Sequence, residues 1–238
     1  MTRHRMSMIG RAGADVRRAI AAAAAVVLSV ASAGWAAGPS AEAGAASAGE
    51  QQPERPNIIL LITDDQRWDA LGCMGNAVIR TPNLDRLAAE GVLFTNCFCT
   101  TSICATSRAS FLTGQYARRH GIWDFRTPLS PGAFAKTFPA LLRQAGYRIG
   151  FVGKWGLGGP LPGRQYDYFR GYSGQGRYFS KDRRNHLTHI LGDQAIEFLD
   201  GCSPGQPFCL QVSFKAPHCQ AGDPWPFQPD PRYNQLYQ

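Results

Sequence analysis

The feature that most constrains the fold is an apolar run that ends in two acidic residues. Other apolar runs further along the chain are also followed by polar residues. Residues 56 to 63 read Pro-Asn-Ile-Ile-Leu-Leu-Ile-Thr and lead directly into Asp64 and Asp65. An unbroken aliphatic run of this length, rich in β-branched residues, is typical of a strand inside a parallel sheet. We therefore predict a strand over residues 57–63 with its polar residues at the carboxyl end.

Helical and strand-like segments alternate over the rest of the chain. Helices are predicted over 82–90, from Cys104 to about Thr113, over 139–145 and over 187–200, each followed by a glycine. Further strands are predicted over 92–98, 147–152 and 208–214. This alternation predicts an α/β fold with a mostly parallel sheet flanked by helices on both faces.

Polar residues follow three of these predicted strands. Asp64 and Asp65 follow the first, Lys154 comes just after the strand over 147–152, and His218 lies beyond the strand over 208–214. Ligands of open α/β sheets bind outside the carboxyl ends of the strands. We expect these side chains to share one site, where a hard divalent cation would compensate the paired carboxylates.

Cys104 and Arg108 add a second chemical signal. The thiol falls at the start of a predicted helix and the arginine lies one turn further along. A helix start and a neighbouring cation can hold a cysteine reactive and close to a bound anion.

Five motifs in one order resemble the N-terminal part of the type I sulfatases, within the alkaline phosphatase superfamily. The resemblance covers most of residues 55–219 and implies an alkaline phosphatase-like fold. It also implies that the chain cleaves sulfate from a sulfated carbohydrate or a small sulfate ester. The motifs are Pro-Asn-Ile-Ile-Leu with Thr63-Asp64-Asp65, Thr81 to Ala88, Cys104 to Arg108 with Thr113-Gly114, Gly153-Lys154-Trp155, and Ala216-Pro217-His218.

The resemblance also implies a role for each site residue. A formylglycine-generating or similar maturation enzyme would convert Cys104 to formylglycine, whose hydrated aldehyde attacks the ester sulfur. Arg108 would hold the converted residue, and Lys154 and His218 would contact the sulfate oxygens. Asp64, Asp65 and the side chain at position 104 would bind Ca²⁺, with Mg²⁺ as the alternative.

The chain departs from the family pattern at three places. Thr106 stands where the cysteine motif usually has proline or alanine, and Gly156 stands where a histidine commonly serves the site. The sequence stops at Gln238, before the part in which sulfatases carry an Asp-Asn pair, a further lysine and a small C-terminal subdomain. Residues 55–238 are therefore interpreted as an incomplete catalytic domain, truncated before that subdomain.

The first residues differ in composition from the rest. Several arginines precede the small apolar stretch from Ala19 to Val30, which predicts a signal peptide and lead-in over residues 1–43 and a flexible linker over 44–54. That stretch is shorter than the roughly 20 residues that span a bilayer, so no stable membrane span is expected. We expect an exported protein, periplasmic or secreted.

The net charge indicates the class of substrate, and the cysteine content indicates which disulfides are possible. The formal net charge of +8 suits an anionic substrate, and no recognisable nucleic-acid-binding motif accompanies it. Seven cysteines in an exported chain permit disulfides, with Cys104 expected to stay unpaired and Cys202 and Cys209 as one candidate pair. His120 is expected to be structural.

Two other functions are consistent with the same residues. Related sites of the superfamily handle phosphoryl groups, so a phosphodiesterase or a phosphonate hydrolase is one alternative. The other is an inactive remnant that keeps a partial anion site as a binding surface.

Overall fold

A computed structural model describes residues 55–180 and 185–236, and these described residues form one compact unit. The predicted signal peptide at 1–43 and the predicted linker at 44–54 lie outside the described residues. In the described part of the chain, no helix is both long enough and apolar enough to cross a membrane.

The elements alternate as the sequence predicts. The strands are β1 (Ile58–Asp64), β2 (Arg148–Lys154), β3 (Tyr168–Tyr172) and β4 (Phe208–Pro217). The helices are α1 (Pro82–Glu90), α2 (Cys104–Thr113), α3 (Ala117–His120), α4 (Pro131–Phe134), α5 (Phe138–Gln144) and α6 (Leu187–Asp200). Single 3₁₀ turns cover Gly72–Met74, Gly163–Gln165 and Pro231–Tyr233.

The four strands form one parallel sheet in the order β1-β4-β2-β3. Ile58 pairs with Cys209 and Arg148 pairs with Phe208, so the last strand of the chain lies between the first two. This order brings the carboxyl ends of β1, β4 and β2 side by side. The predicted mostly parallel sheet is confirmed.

Helices cover both faces of the sheet. On one face, residues of α2 and α5 pack with Ile149, Phe151 and Cys209 around a cluster of buried aromatic side chains. On the other face, Leu191 and Phe198 of α6 pack against Val152, Leu210 and Val212. Alternate residues of β2 and β4 thus serve the two cores, which is the period-2 pattern of a strand covered on both sides.

β1 is covered on one face only within the described residues. Ile59 and Leu61 are 50% and 52% exposed, while Ile58, Leu60 and Ile62 turn toward the molecule. The continuous apolar run nevertheless alternates in burial because β1 lies at the edge of the described sheet.

Two sequence predictions about secondary structure differ from the fold. The strand predicted over 92–98 is wrong, because these residues are exposed and form no ladder, with bends at Thr95 and Asn96. High β-propensity has no effect without a neighbouring strand to pair with. β3 was not predicted, since Tyr168-Phe169-Arg170-Gly171-Tyr172 is short and interrupted by an arginine and a glycine.

All seven cysteines lie among the described residues, and all are thiols. Cys209 packs in the core, and Cys202 donates to the carbonyl of Phe198 (3.3 Å). The candidate Cys202–Cys209 pair is not joined.

Candidate functional site

The carboxyl ends of three strands place three sequence-predicted residues at one edge of the sheet. Asp64 ends β1, Lys154 ends β2, and His218 directly follows β4. Cys104 opens α2, whose first turn faces the same edge. The register between β1 and β4 shifts after Ile62, so that Asp64 lies opposite Pro217.

Asp64 is the centre of a buried charge network. It is 5% exposed, and its Oδ2 accepts a hydrogen bond from Lys154 Nζ and lies 3.5 Å from Arg108 Nη2. Burial alone raises the pKa of Asp64, but the hydrogen bond and charge of Lys154, together with the charge of Arg108, outweigh that effect. The net result is a pKa below its ordinary value.

Lys154 lies behind Asp64 rather than on an open surface. The side chain is 0% exposed, and Nζ also donates to Oε1 of Gln175 (2.5 Å). Because a charged amine is costly to bury alone, both acceptors are needed to hold it there. The lysine that the resemblance assigns to the sulfate is engaged by protein oxygens in this structure.

Arg108 reaches across the end of β2. Its Nη1 donates to the carbonyl of Lys154 (2.9 Å) and to Oγ of Ser213. Burial lowers the pKa of the guanidinium, and the charge of Asp64 opposes that shift. Arg108 therefore connects α2, β2 and β4 at the point where the strands end.

Gly156 provides the space that Arg108 occupies. Its φ is +72°, and a Cβ built there would lie 2.5 Å from Cδ of Arg108. Gly156 stands where the resemblance implies a histidine, and the side chain of Arg108 occupies the volume that a larger residue would fill.

Cys104 faces the carboxylate of Asp64. Its Sγ donates to Oδ1 of Asp64 (3.3 Å), the oxygen that neither Lys154 nor Arg108 uses. Burial raises the pKa of the thiol, the charge of Lys154 opposes that shift, and the Asp64 contact adds to it. Burial and the facing carboxylate therefore oppose the effect that the sequence predicts for the helix start and the nearby arginine.

Asp65 diverges from Asp64. It adopts a left-handed conformation with φ of +60°, which turns the chain sharply after β1 and leaves Asp65 exposed. Aspartate tolerates this conformation better than most residues. The two predicted carboxylate ligands line the same cavity, but only Asp64 belongs to the cluster that contains Cys104 and His218.

His218 is oriented by its own loop. Its Nδ1 lies 2.7 Å from the carbonyl of Cys219, and because a carbonyl only accepts, Nδ1 carries the proton. In the neutral ring, Nε2 therefore presents a lone pair. The carbonyl of His218 in turn accepts from the hydroxyl of Tyr178 (2.6 Å), which fixes the loop against the chain after β3.

A cavity of about 720 Å³ opens onto this cluster. Asp64, Asp65, Cys104, Arg108 and His218 all lie on its wall. Apolar side chains of β1 and of the segment around α2, including Leu61, Ile103, Phe111 and Phe125, line the remainder. The cavity lining thus combines charged and apolar side chains, as ligand sites commonly do.

Three supporting residues were missed by the sequence reasoning. Ser213 holds Arg108, Gln175 holds Lys154, and the buried Lys215 donates to the carbonyl of Cys219 (3.2 Å), the same oxygen that orients His218. Ser213 and Lys215 alternate with Val212 and Phe214 in a strand that is otherwise buried. Polar residues spaced by two within a buried strand were a signal that could have found them.

His120 is part of a local structural network. Its Nδ1 accepts from the backbone N–H of Ile122 (3.0 Å), so Nε2 carries the proton and donates to Oγ of Ser110 (3.1 Å). The hydroxyl of Ser110 in turn donates a hydrogen bond to the carbonyl of Thr106 (3.0 Å). This chain of donors ties α2 to α3 and leaves the serine without a base.

Fold and site together define a class: an α/β protein with a parallel sheet and a cluster of charged and thiol side chains at the carboxyl edge of that sheet. The family model described as Sulfatase matches residues 56–238. The chain belongs to the sulfatase family.

Individual relatives agree with this assignment. N-acetylglucosamine-6-O-sulfatase of Bacteroides thetaiotaomicron is 36% identical over 71% of this chain and 32% of its own length. Human N-acetylgalactosamine-6-sulfatase is 31% identical over 74% of this chain and 42% of its own length. The chain thus spans about a third to two fifths of the curated relatives it matches first.

Solved structures show the same likeness. One, a protein in complex with its substrate D-glucosamine-2-N,6-O-disulfate, matches with a TM-score of 0.62 and 37% identity, covering 69% of this chain and 35% of that chain. The phosphonate monoester hydrolase of Agrobacterium radiobacter matches with a TM-score of 0.56 and 25% identity, covering 69% of this chain and 41% of that chain.

Proposed function

We propose that this chain carries the nucleophile half of a sulfuric ester hydrolase that removes sulfate from a sulfated carbohydrate. The observation that carries the proposal is the cluster of Asp64, Cys104 and Arg108 on the wall of an open cavity, with Lys154 buried behind Asp64. Membership of the sulfatase family supports the reaction type.

Position 104 is proposed to supply the attacking oxygen once its thiol has been converted to formylglycine. One hydroxyl oxygen of the hydrated aldehyde would attack the ester sulfur, the S–O bond to the sugar would break, and the sugar alcohol would leave with a proton. The sulfate would then leave with the attacking oxygen as the remaining hydroxyl loses its proton and the aldehyde reforms. Two steps through an enzyme-bound sulfate replace one difficult displacement. The conversion requires a maturation enzyme, which we propose as the partner of this chain.

Arg108 and His218 would serve this chemistry from fixed positions. Arg108 is anchored by Ser213 and the carbonyl of Lys154, so its charge stays beside position 104 as the sulfuryl group becomes crowded with negative oxygens. His218 Nε2, with its lone pair directed away from Cys219, is able to take up or return a proton. Lys154 would support the charge of Asp64 from behind.

A divalent cation is the cofactor that the family implies, and the donors fit it in part. Asp64 and Asp65 line one cavity, and conversion of Cys104 would replace a sulfur with oxygen, the donor that Ca²⁺ and Mg²⁺ prefer. We propose that these three residues would hold Ca²⁺, with Mg²⁺ as the alternative. Calcium takes six to eight oxygens, so these residues supply part of its shell, and its charge would stabilise the anionic transition state.

The substrate class follows from the relatives. Two of them are named for 6-sulfated amino sugars, and one solved relative holds a disulfated glucosamine. We therefore propose a sulfated hexosamine as the first substrate to assay.

A phosphonate monoester hydrolase is a second candidate. The likeness to the Agrobacterium radiobacter enzyme supports it, because the same cluster of cations would bind a phosphonate. The basic net charge of +8 suits either anion.

One experiment tests the proposal against this candidate. The protein isolated from its own host would be digested to measure the mass of the peptide containing Cys104, and assayed in parallel with glucosamine 6-sulfate and a phosphonate monoester. We expect a converted residue 104 and sulfate release that is lost in Cys104→Ala, with Cys99→Ala, on the same cavity wall, as the matched control. Faster phosphonate turnover with negligible sulfate release would contradict the proposal, and so would an unconverted, inactive chain.

Export is proposed on the composition of residues 1–43 alone. Fractionation of the host should find the protein in the periplasm or the medium, with a mature N-terminus beyond residue 30. Recovery in the cytoplasm with Met1 or Thr2 at the N-terminus would contradict this.

A further inference from the structure

Three donor atoms of different chemical kinds face one another at the edge of the sheet. A carboxylate oxygen of Asp64, the sulfur of Cys104 and a ring nitrogen of His218 all lie within 4.8 Å of one another. The sulfur is 3.3 Å from Oδ1 of Asp64. The three residues come from three separate elements, β1, α2 and the loop after β4.

Each donor is already prepared for coordination. The cations Lys154 and Arg108 occupy Oδ2 of Asp64, which leaves Oδ1 turned toward the sulfur. His218 donates from Nδ1 to the carbonyl of Cys219, so Nε2 offers its lone pair. A backbone carbonyl on the far ring nitrogen is the usual partner of a metal-bound histidine, because it fixes the tautomer and the ring orientation.

The donor set distinguishes between metals. Sulfur, imidazole nitrogen and one carboxylate oxygen suit Zn²⁺, whereas Ca²⁺ and Mg²⁺ take oxygen ligands almost alone. Tetrahedral zinc places neighbouring ligand atoms about 3.5 Å apart. The donor atoms of Asp64, Cys104 and His218 already lie within 4.8 Å of one another. The cavity beside the cluster leaves the fourth position open to water or to an anion.

We infer that this chain, while Cys104 is still a thiol, binds a thiophilic divalent ion such as Zn²⁺ through Asp64, Cys104 and His218. Binding replaces the thiol proton, which passes to solvent, and no redox change occurs. The inference rests on the proposed function only for its consequence, which is that the site changes when position 104 is converted. Conversion removes the sulfur ligand and changes the preference from zinc to calcium.

Cobalt titration of the unconverted protein tests this site. Co²⁺ substitutes for Zn²⁺ and gives a thiolate-to-metal absorption band in the near ultraviolet. We expect one equivalent of Co²⁺ to produce this band and Zn²⁺ to displace it. Cys104→Ser should abolish the band, and His218→Ala should weaken binding at least about tenfold, as expected for loss of a ligand or its support.

The matched control is Cys99→Ser, because Cys99 lines the same cavity and is an exposed thiol outside the proposed ligand set. This variant should bind Co²⁺ as the parent does, with circular dichroism showing that all variants fold alike. A band that survives Cys104→Ser or disappears in Cys99→Ser would overturn the inference.

Alkylation gives an independent readout. Zn²⁺ should protect Cys104 from iodoacetamide, as measured by the mass of its peptide, while Cys97 and Cys99 remain reactive. Equal labelling of Cys104 with and without Zn²⁺ would contradict the site. Neither measurement involves sulfate release, so a chain that binds cobalt but hydrolyses no sulfate ester refutes the proposed function alone.

Discussion

At the scale of single residues, Asp64 determines how the site is arranged. One of its carboxylate oxygens faces two cations and the other faces Cys104. Burial of this carboxylate is tolerated only because those cations compensate it. Stability and function therefore depend on the same few contacts.

Removing Lys154 should expose that dependence. Lys154→Met leaves Asp64 buried with only Arg108 nearby, and loss of one partner of a buried ion pair costs about 3 kcal/mol or more. Denaturant titration in the presence of a metal chelator would measure the change in the free energy of unfolding. The control is Arg67→Met, which removes the partner of Asp69 in an exposed ion pair and should change the free energy of unfolding far less. Equal effects of the two substitutions would contradict the buried network.

The acid response should also depend on Asp64. Its pKa in the folded chain lies below the ordinary value of 3.8, so its ionised form stabilises the fold above about pH 4. That contribution is lost as pH falls through the folded pKa, because the unfolded chain then binds more protons. Asp64→Asn should therefore flatten the fall in unfolding free energy below pH 4, measured without metal. An unchanged slope in this variant would refute the assignment.

A substitution at Gly156 tests whether the function of Arg108 depends on the space that its side chain occupies. Gly156→Ala places a Cβ against Cδ of Arg108 and adds left-handed strain of about 1 kcal/mol. Gly174→Ala is the matched control, since Gly174 has a similar φ of +68° but nothing within 4 Å of the added atom. We expect both to lose the strain energy, and only Gly156→Ala to lower sulfate release, by at least about tenfold for a displaced guanidinium. The same activity in both variants would show that the contact is unimportant.

At the scale of elements, α2 presents Cys104 at the site and buries its next turn. Thr106 is 0% exposed and its hydroxyl has no hydrogen-bond partner. The family usually has proline or alanine at this position, so the departure noted in the sequence coincides with an unsatisfied polar group. A buried hydroxyl without a partner destabilises the folded state.

Thr106→Val keeps the shape of this side chain and removes the unsatisfied hydroxyl. We expect the free energy of unfolding to rise by about 1 kcal/mol. Thr113→Val, in the same helix, removes a hydroxyl that donates to the carbonyl of Ala109 (2.6 Å) and should lower it by up to about 1 kcal/mol. Thermal or denaturant unfolding would compare the two, and destabilisation by both would mean that Thr106 has a partner after all.

At the scale of the whole molecule, much of the fold followed from local pattern. α2 has the predicted bounds, Cys104 to Thr113, because a glycine at 114 ends it in a left-handed conformation. The sheet order did not follow, since placing β4 between β1 and β2 depends on contacts between residues far apart in sequence. The unpredicted β3 and the failed strand over 92–98 have the same origin, because strand formation depends on a partner.

The site was predictable where residues follow strand ends, and less so where one side chain redirects another. Asp64, Cys104, Lys154 and His218 lie at one edge, as the alternation of strands and helices indicates. The fact that Asp65 directly follows Asp64 in the sequence does not predict the left-handed backbone that turns Asp65 outward. Nor does the sequence show that Lys154 is directed to Asp64 and Gln175, because both contacts are made across the fold.

The central claim is that position 104 delivers an oxygen to sulfur and breaks the S–O bond of a sulfated sugar. Turnover of glucosamine 6-sulfate by the host-matured protein in water labelled with oxygen-18 tests it most directly, with both products analysed by mass spectrometry. The account predicts labelled sulfate and an unlabelled sugar alcohol. Label in the sugar alcohol would mean cleavage of the C–O bond and would contradict it.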